Sequence, residues 1–497
     1  MNTVKNIPTQ QANTQKAKTS IFIKALAYAM PSIGLLFIFT PIVSVLGGVY
    51  AKHFGLTLTT IATAMLIARL FDAITDPIVG YYSDRSRMRT GSRKPFMLVG
   101  AILLVPCSYF LMVPGSEVST GYFVFWYLAF YLAYTLFVIP HLAWINEFTV
   151  DTKEKTLVFS VNGVVGQAGG ALFYLMPLLP FFTTTEITPQ ILQISVITGA
   201  VLLVLGLLIA LKVVPDGPRP EPVAKITDAP STLAQVSDVV KSMLKNKPFV
   251  LFVMTFMCLG VGLGMWAGMF FIYVDSYLQL GEEFAEISLW GMVVSALAVP
   301  VWYRATIVMG KRKAWLAGMT ILMVVFFCTS LLSLEGSGYY ELFALNILIF
   351  FSMGSTGVIA GPMLCDAIDY GRLKDPMERN ATYFSIFTLL SKMQGAVGGA
   401  LGMGIAGWFG FDVLATVQTS SALMGLHLGV AWLPALFMVM AMFFIAMMPL
   451  NEARMVVIRK RLAARNRRLR QPTEEQPAKA ESAIRFTAQE RAMPIEG

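Results

Sequence analysis

The chain has 497 residues, of which 56% are hydrophobic and 13% are charged, and its mean hydropathy is +0.66. Soluble domains carry about 25% charged residues, so this composition excludes a water-soluble globule. Several apolar runs exceed the roughly 20 residues that cross a bilayer as a helix. The runs are continuously apolar rather than alternating, which favours helices over a barrel of strands. The sequence therefore predicts an all-α membrane protein.

Hydropathy predicts twelve membrane-spanning helices. The first six cover about 22–51, 56–82, 95–114, 120–146, 157–183 and 191–213. The second six cover about 248–277, 284–308, 314–334, 339–367, 381–409 and 424–449.

These helices predict two six-helix halves, at 22–214 and 248–450, joined by a polar, proline-containing linker at 215–247. A short surface helix is expected over 231–246. The segment 1–21 is polar and precedes the first half. The basic tail at 451–497 is expected to be disordered.

Cation placement predicts the orientation. All but three of the 38 Lys and Arg residues fall in the N-terminal segment, the even-numbered loops or the tail. The positive-inside rule then puts both termini in the cytoplasm of a multi-pass cell (inner or plasma) membrane protein. Topology accounts for most of the net charge of +9, so no nucleic acid is expected as a partner. The tail is a candidate for contact with anionic lipid.

The two halves share a short sequence echo. Five of seven positions match between 166–172 (GQAGGAL) and 395–401 (GAVGGAL), in spans six apart. Parallel repeats of six helices are the plan of major-facilitator transporters, whose binding cavity lies between the halves. Close packing of small residues between helices is the other explanation of this motif, and both can hold.

The second span carries ionisable residues deep in the membrane. Arg69, Asp72 and Asp76 share one helical face, and Pro77 frees a backbone carbonyl in the same turn. Two neighbouring carboxylates repel unless a proton or cation lies between them, and Thr75 adds another oxygen. This pattern favours an Na⁺ or H⁺ site. The alternative is an Arg69–Asp72 ion pair, with Asp76 capping the kink.

Lys392, on the eleventh span, is a second deep charge and needs a counter-ion. The deep carboxylates are Asp72 and Asp76, so we expect Lys392 to approach them across the interface of the halves. There it would compete with the cation or with a charged substrate group. Snorkelling of Lys392 to the membrane surface is the alternative.

Mixed-sign charges follow the second, fourth and tenth spans. They could form salt bridges that close the cytoplasmic side, or they could be ordinary solvated loop charges. The candidate gating residues are Asp84, Arg85, Arg93, Glu147, Asp366, Asp369 and Arg372.

The run at 69–80 (RLFDAITDPIVG), the Asp84-Arg85 loop, the loop from Asp366 to Arg372 and the segment at 391–399 (SKMQGAVGG) resemble the glycoside–pentoside–hexuronide:cation symporters. This melibiose permease-like family belongs to the major facilitator superfamily. The resemblance implies a monomeric symporter with Asp72 and Asp76 as coupling carboxylates. It also implies Thr75 and Thr135 as further cation ligands and Lys392 as the family's span-eleven lysine.

The sugar-binding carboxylates of melibiose permease are replaced here by Leu36 and Val138, which argues against galactosides. Leu142 and Asn162 take the places of its neighbouring tryptophan and arginine. With Arg69 and Lys392 close by, a sugar, a glycoside or a sugar acid is the expected small-molecule substrate. The candidate substrate residues are Asn162, His141, Trp144, Gln167, Trp266, Tyr273, Tyr383 and Gln394.

Two other functions stay open from the sequence, namely transport of an amphipathic substrate such as a lysolipid and a non-transporting sensor or scaffold. No nucleophile–base pair, phosphate loop or metal motif suggests an enzyme or a cofactor.

Overall fold

A computed structural model describes residues 7–115, 118–149, 152–180, 182–217, 243–332, 338–374, 380–415, 417–450 and 452–470. Helices dominate this part of the chain. They are α1 Ile7–Ser44, α2 Leu46–Phe54, α3 Leu58–Thr90, α4 Lys94–Met112, α5 Thr120–Phe148, α6 Thr152–Leu175, α7 Pro189–Val213, α8 Lys247–Ile272, α9 Phe284–Met309, α10 Lys311–Thr329, α11 Tyr339–Lys374, α12 Asn380–Trp408, α13 Ser420–His427, α14 Leu433–Ala446 and α15 Glu452–Arg470.

The helix boundaries follow local sequence signals. The side chains of Thr57, Ser119, Thr188, Asn246 and Thr419 each accept a hydrogen bond from a backbone N–H in the first turn of the helix that follows. Short π-helical turns extend α8 and join α13 to α14. Such capping makes the polar interruptions between apolar runs the natural helix ends.

Among the described residues, eleven helical segments are long and apolar enough to cross a membrane. Helix α12 is a further long helix of the bundle, packed between α8 and α3. The predicted architecture of twelve membrane helices is thereby confirmed, although the first span ends at Ser44 and α2 continues it as a separate helix.

The bundle has two halves with matching internal contacts. In the first half α1 packs on α6 and α7, and in the second half α8 packs on α12 and α14. The halves meet where α3 packs on α12 and, on the other side of the bundle, where α6 packs on α9.

The glycine motifs of the repeat hold equivalent positions in the two halves. A Cβ at Gly169 would overlap the carbonyl oxygen of Ile33 on α1, and a Cβ at Gly398 would overlap that of Val261 on α8. The next glycine of each motif faces the other half, since Gly170 lies beside Met292 and Gly399 beside Met65. Both explanations offered for the motif therefore apply: it packs helices closely, and it does so symmetrically.

We call the side of the bundle where α3, α5, α7, α9 and α11 end the basic face, and the other side the opposite face. Near the opposite face the halves are in close contact: a Cβ at Gly47 would lie 2.7 Å from Met403 Cε, and one at Gly407 would lie 2.8 Å from Thr59 Oγ1. Toward the basic face, Cβ atoms added at Gly80 or Gly163 would meet nothing within 4 Å. The space between the halves therefore opens to the basic face.

The start of the C-terminal tail differs from the expectation of disorder. Residues 452–470 form α15, which buries Met455, Ile458 and Leu462 and packs on α11. An apolar residue every three or four positions gives this basic segment a packing face. The rest of the tail, the N-terminal residues 1–6 and most of the predicted linker, including most of the surface helix expected at 231–246, lie outside the described residues.

Candidate functional site

The intramembrane charges meet at the interface of the halves, on the face where α3 approaches α12. Asp76 of α3 is 18% exposed and forms an ion pair with Lys392 of α12, whose side chain is 38% exposed. Thr135 of α5 donates a hydrogen bond of 3.0 Å to the other carboxylate oxygen of Asp76. This carboxylate therefore connects three helices: its own helix α3 and α5 in the first half, and α12 in the second half.

One turn earlier, Arg69 and Asp72 form an ion pair of 2.8 Å within α3. The Arg69 guanidinium also stacks over the ring of Tyr131, 4.1 Å from its centroid. Arg69 Nε and Asp72 Oδ1 are buried without a hydrogen-bond partner among the described residues. Since unpaired buried polar atoms are costly, this part of the site has capacity for one more polar ligand.

The structure shows two contacts that the sequence analysis considered separately, the expected approach of Lys392 and the ion pair given as the alternative to a cation site. Lys392 reaches the carboxylate pair from the second half, and Arg69 pairs with Asp72 inside α3. The coupling roles of these residues stay predictions.

Thr75 and Thr135 are placed differently relative to the carboxylates. Thr75 donates its hydroxyl to the carbonyl of Phe71 within α3, at 3.1 Å, whereas Thr135 donates to Asp76. Both were predicted as cation ligands, and Thr135 is the one in contact with a carboxylate.

The predicted substrate residues fall into two groups. Gln167 is exposed, and Asn162 is partly buried and accepts a hydrogen bond of 2.7 Å from Ser32 on α1. The side chain of Gln394 packs against Gly260. Its amide oxygen, Oε1, is buried and has no hydrogen-bond partner among the described residues. Asn162, Gln167 and Gln394 are the polar candidates with capacity for a ligand.

The five aromatic candidates are instead part of the helix packing. The ring of His141 stacks on that of Tyr28, with 4.2 Å between the ring centroids. The Tyr273 hydroxyl donates a hydrogen bond of 2.7 Å to the carbonyl of Thr329. The other three are also buried, Trp144 under Lys94, Trp266 among phenylalanines and Tyr383 beside Asn246. In this conformation burial keeps them from a ligand between the halves, so their substrate role gains no support.

The ion pairs described for the predicted gating charges on the basic face each lie within one half. Arg93 bonds to Glu147 at 2.5 Å and also to Asp84, all in the first half. Arg85 is exposed beside them. Because the basic face is open in this conformation, the predicted salt bridges that would close it stay a prediction.

The second half has its own charge cluster. Asp366 is almost fully buried and bonds to Lys311 and, at 2.9 Å, to Arg459 of α15. Arg459 also lies 3.8 Å from Asp369, and the carbonyl of Arg372 accepts from Arg465 at 2.8 Å. These predicted gating residues hold α15 against the second half.

A bridge between the halves that was not predicted from the sequence lies on the opposite face. Lys52 of α2 bonds to Glu186 of the first half at 2.6 Å and to Asp275 of the second half at 2.9 Å. Burial lowers the pKa of Lys52, but hydrogen bonds to the two carboxylates outweigh it, so the pKa lies above its ordinary value. We call Lys52, Glu186 and Asp275 the Lys52 bridge. A signal was present in the sequence, since Lys52 is one of the three Lys and Arg residues outside the N-terminal segment, the even-numbered loops and the tail.

The chain is similar over most of its length to relatives whose names give different substrates. It is 24% identical to the glucuronide carrier protein homolog of Escherichia coli (strain K12), over 86% of this chain and 90% of that protein. It is 23% identical to sodium-dependent lysophosphatidylcholine symporter 1-A of Danio rerio, over 78% of each.

Among solved structures, the nucleoside transporter NupG superposes with a TM-score of 0.59, covering 86% of this chain and 100% of that one at 15% identity. This likeness shows a shared fold. Residues 25–452 match the family model described as MFS/sugar transport protein. The chain therefore belongs to the MFS/sugar transport protein family, and it is a membrane transporter rather than an enzyme.

Proposed function

We propose that this transporter carries a sugar, glycoside or sugar acid together with Na⁺ or H⁺, by alternating access. One observation carries the proposal: the Asp76 carboxylate is held by Thr135 of the first half and Lys392 of the second half. A group that changes the charge at Asp76 acts on both halves at once.

The coupling ion would bind at Asp72 and Asp76, with Thr135 as a further oxygen ligand. In this conformation the ammonium of Lys392 lies against Asp76, where a cation would bind. A cation and Lys392 therefore compete for one carboxylate, so cation binding favours arrangements in which Lys392 is released. By reciprocal linkage, a substrate that prefers such an arrangement binds more tightly when the cation is present.

The polar candidate side chains suit a hydroxylated substrate. Asn162, Gln167 and Gln394 offer amides, and a released Lys392 offers a cation for an acidic sugar. The family description and the glucuronide carrier relative support this substrate class. The lysophosphatidylcholine relative supports an amphipathic substrate as the second candidate.

We further propose that the basic face is cytoplasmic, because the positive-inside rule favours cations there. The conformation described would then be open to the cytoplasm. One cation crossing ~100 mV supplies about 2.3 kcal/mol, or roughly fifty-fold accumulation, which is adequate for uptake.

Uptake into proteoliposomes tests the proposal. A panel of neutral glycosides, sugar acids and lysolipids is offered with a sodium gradient, with a proton gradient and with neither. We expect gradient-driven accumulation of a glycoside or sugar acid, and its loss in Asp76→Asn. Glu282→Gln, which neutralises an exposed acid on the opposite face, should keep wild-type uptake.

Two results would contradict the proposal. Gradient-driven accumulation that survives Asp76→Asn would exclude the cation site. Accumulation of lysolipid alone would replace the substrate class.

A further inference from the structure

A cavity of about 410 Å³ lies at the basic face of the second half, away from the charge site between the halves. It is bounded by the end of α9, the first turn of α10, the C-terminal end of the bundle at Leu450 and the start of α15. Three consecutive cations, Lys311, Arg312 and Lys313, contribute to its wall. The transport mechanism proposed above does not use this space.

The charge of the cavity favours an anion. Its acid, Asp366, already bonds to both Lys311 and Arg459. Arg312 donates a hydrogen bond of 3.1 Å to the carbonyl of Met448 and keeps further N–H groups free to bond elsewhere. Lys313 is exposed and has no ion pair with another described residue. Arg312 and Lys313 are therefore two cations of the lining that have no ion pair with an acid among the described residues.

The other wall of the cavity is apolar, which argues for an amphipathic anion rather than a small soluble one. Leu316, Met363, Leu450 and Met455 line it. Helix α10 has the length and composition of a membrane span and begins at Lys311, so the cavity is expected at the level where lipid headgroups meet the hydrocarbon. Beside it, Ile307 and Val308 at the end of α9 expose 66% and 77% of their surface.

We infer that this cavity binds the headgroup of an anionic phospholipid from the leaflet at the basic face. Arg312 and Lys313 contact the phosphate, and the acyl chains lie along the exposed apolar surface of α9. Basic pockets at helix ends suit such headgroups. The inference takes the orientation proposed above but does not depend on transport activity.

Native mass spectrometry of the full-length protein in detergent tests this directly. Dioleoylphosphatidylglycerol is titrated against wild type, the double variant Arg312→Gln/Lys313→Gln, and a control, Lys245→Gln/Lys247→Gln. The control removes two exposed cations from the same face outside the cavity. At about five-fold per cation near the surface, we expect retention of the lipid to weaken about thirty-fold in the first variant only.

Dioleoylphosphatidylcholine and inorganic phosphate distinguish the source of the anion. We expect the zwitterionic lipid to be retained weakly and inorganic phosphate not to displace phosphatidylglycerol. Equal retention of the two lipids, displacement by phosphate, or unchanged retention in the double variant would each overturn the inference. If the double variant does not fold, Lys313→Gln alone replaces it, with about five-fold weakening expected.

Discussion

At the scale of single residues, Asp76 is the junction of the site. It accepts a hydrogen bond from Thr135 and forms an ion pair with Lys392. Its carboxylate is therefore in contact with both halves. Asp72, by contrast, has its partner Arg69 on its own helix. The two carboxylates lie one helical turn apart. A movement of the halves would break the ion pair of Asp76 but would leave that of Asp72 in place.

The two threonines near Asp76 give a matched test of the cation site. Thr135→Val keeps the side-chain shape but removes the hydrogen bond to Asp76, whereas Thr75→Val removes only a bond to the carbonyl of its own helix. A hydrogen bond to a charged group contributes about 1.5–3 kcal/mol. We expect Thr135→Val to raise the cation concentration for half-maximal uptake about ten-fold or more, with little change in Thr75→Val.

Cation titrations of uptake in proteoliposomes measure this difference. Equal effects of the two substitutions would show that the hydroxyl on Asp76 has no special role.

At the scale of helices, the close contact of α8 and α12 depends on Gly398. Added bulk there would overlap the backbone of Val261, while Gly395 on the same helix has open space. We expect Gly398→Ala to destabilise the protein by about 1–3 kcal/mol through overpacking. Gly395→Ala should be neutral or stabilising by up to about 1 kcal/mol, because alanine is the better helix former.

Thermal unfolding of the purified variants measures whether each substitution lowers or raises the stability of the protein. An equal decrease of the melting temperature in both variants would contradict this, because it would show that the close contact of Gly398 with α8 has no special effect on stability.

The sequence predicts the helices well but their contacts only in part. The approach of Lys392 to the carboxylates followed from a simple count, because few deep charges exist to pair with. That Asp76 rather than Asp72 receives it depends on the rotation of α3, which periodicity does not determine. The surroundings of the aromatic candidates could not be predicted for the same reason: a Trp or His on a membrane helix can face a cavity or a neighbouring helix, and only the packing distinguishes the two.

At the scale of the whole molecule, the Lys52 bridge connects the halves on the face that is closed. Asp275 is 1% exposed at its side chain, so removing Lys52 leaves a buried carboxylate without its partner. Loss of one partner of a buried pair costs about 3–5 kcal/mol, and less here because Lys52 is 30% exposed. We expect Lys52→Ala to shift the equilibrium toward conformations open at the opposite face.

Labelling of a cysteine introduced at Gly47, where the halves are in contact, measures that shift. The labelling rate should rise about ten-fold in Lys52→Ala, since ~1.4 kcal/mol corresponds to ten-fold. Lys212→Ala, which removes an exposed cation from the basic face, should leave it unchanged. An unchanged rate in Lys52→Ala would show that packing alone closes this face.

The balance of charge around Asp76 has a consequence for how voltage acts on the carrier. The formal charges of Arg69, Asp72, Asp76 and Lys392 cancel, so under the proposed mechanism reorientation of the empty carrier would move no net charge of this site through the membrane field. One bound cation would make transport electrogenic when the cargo is neutral and electroneutral when the cargo is a monoanion. A glycoside would then be concentrated by membrane potential alone, whereas an acid carried with a single ion would respond only to the chemical gradients.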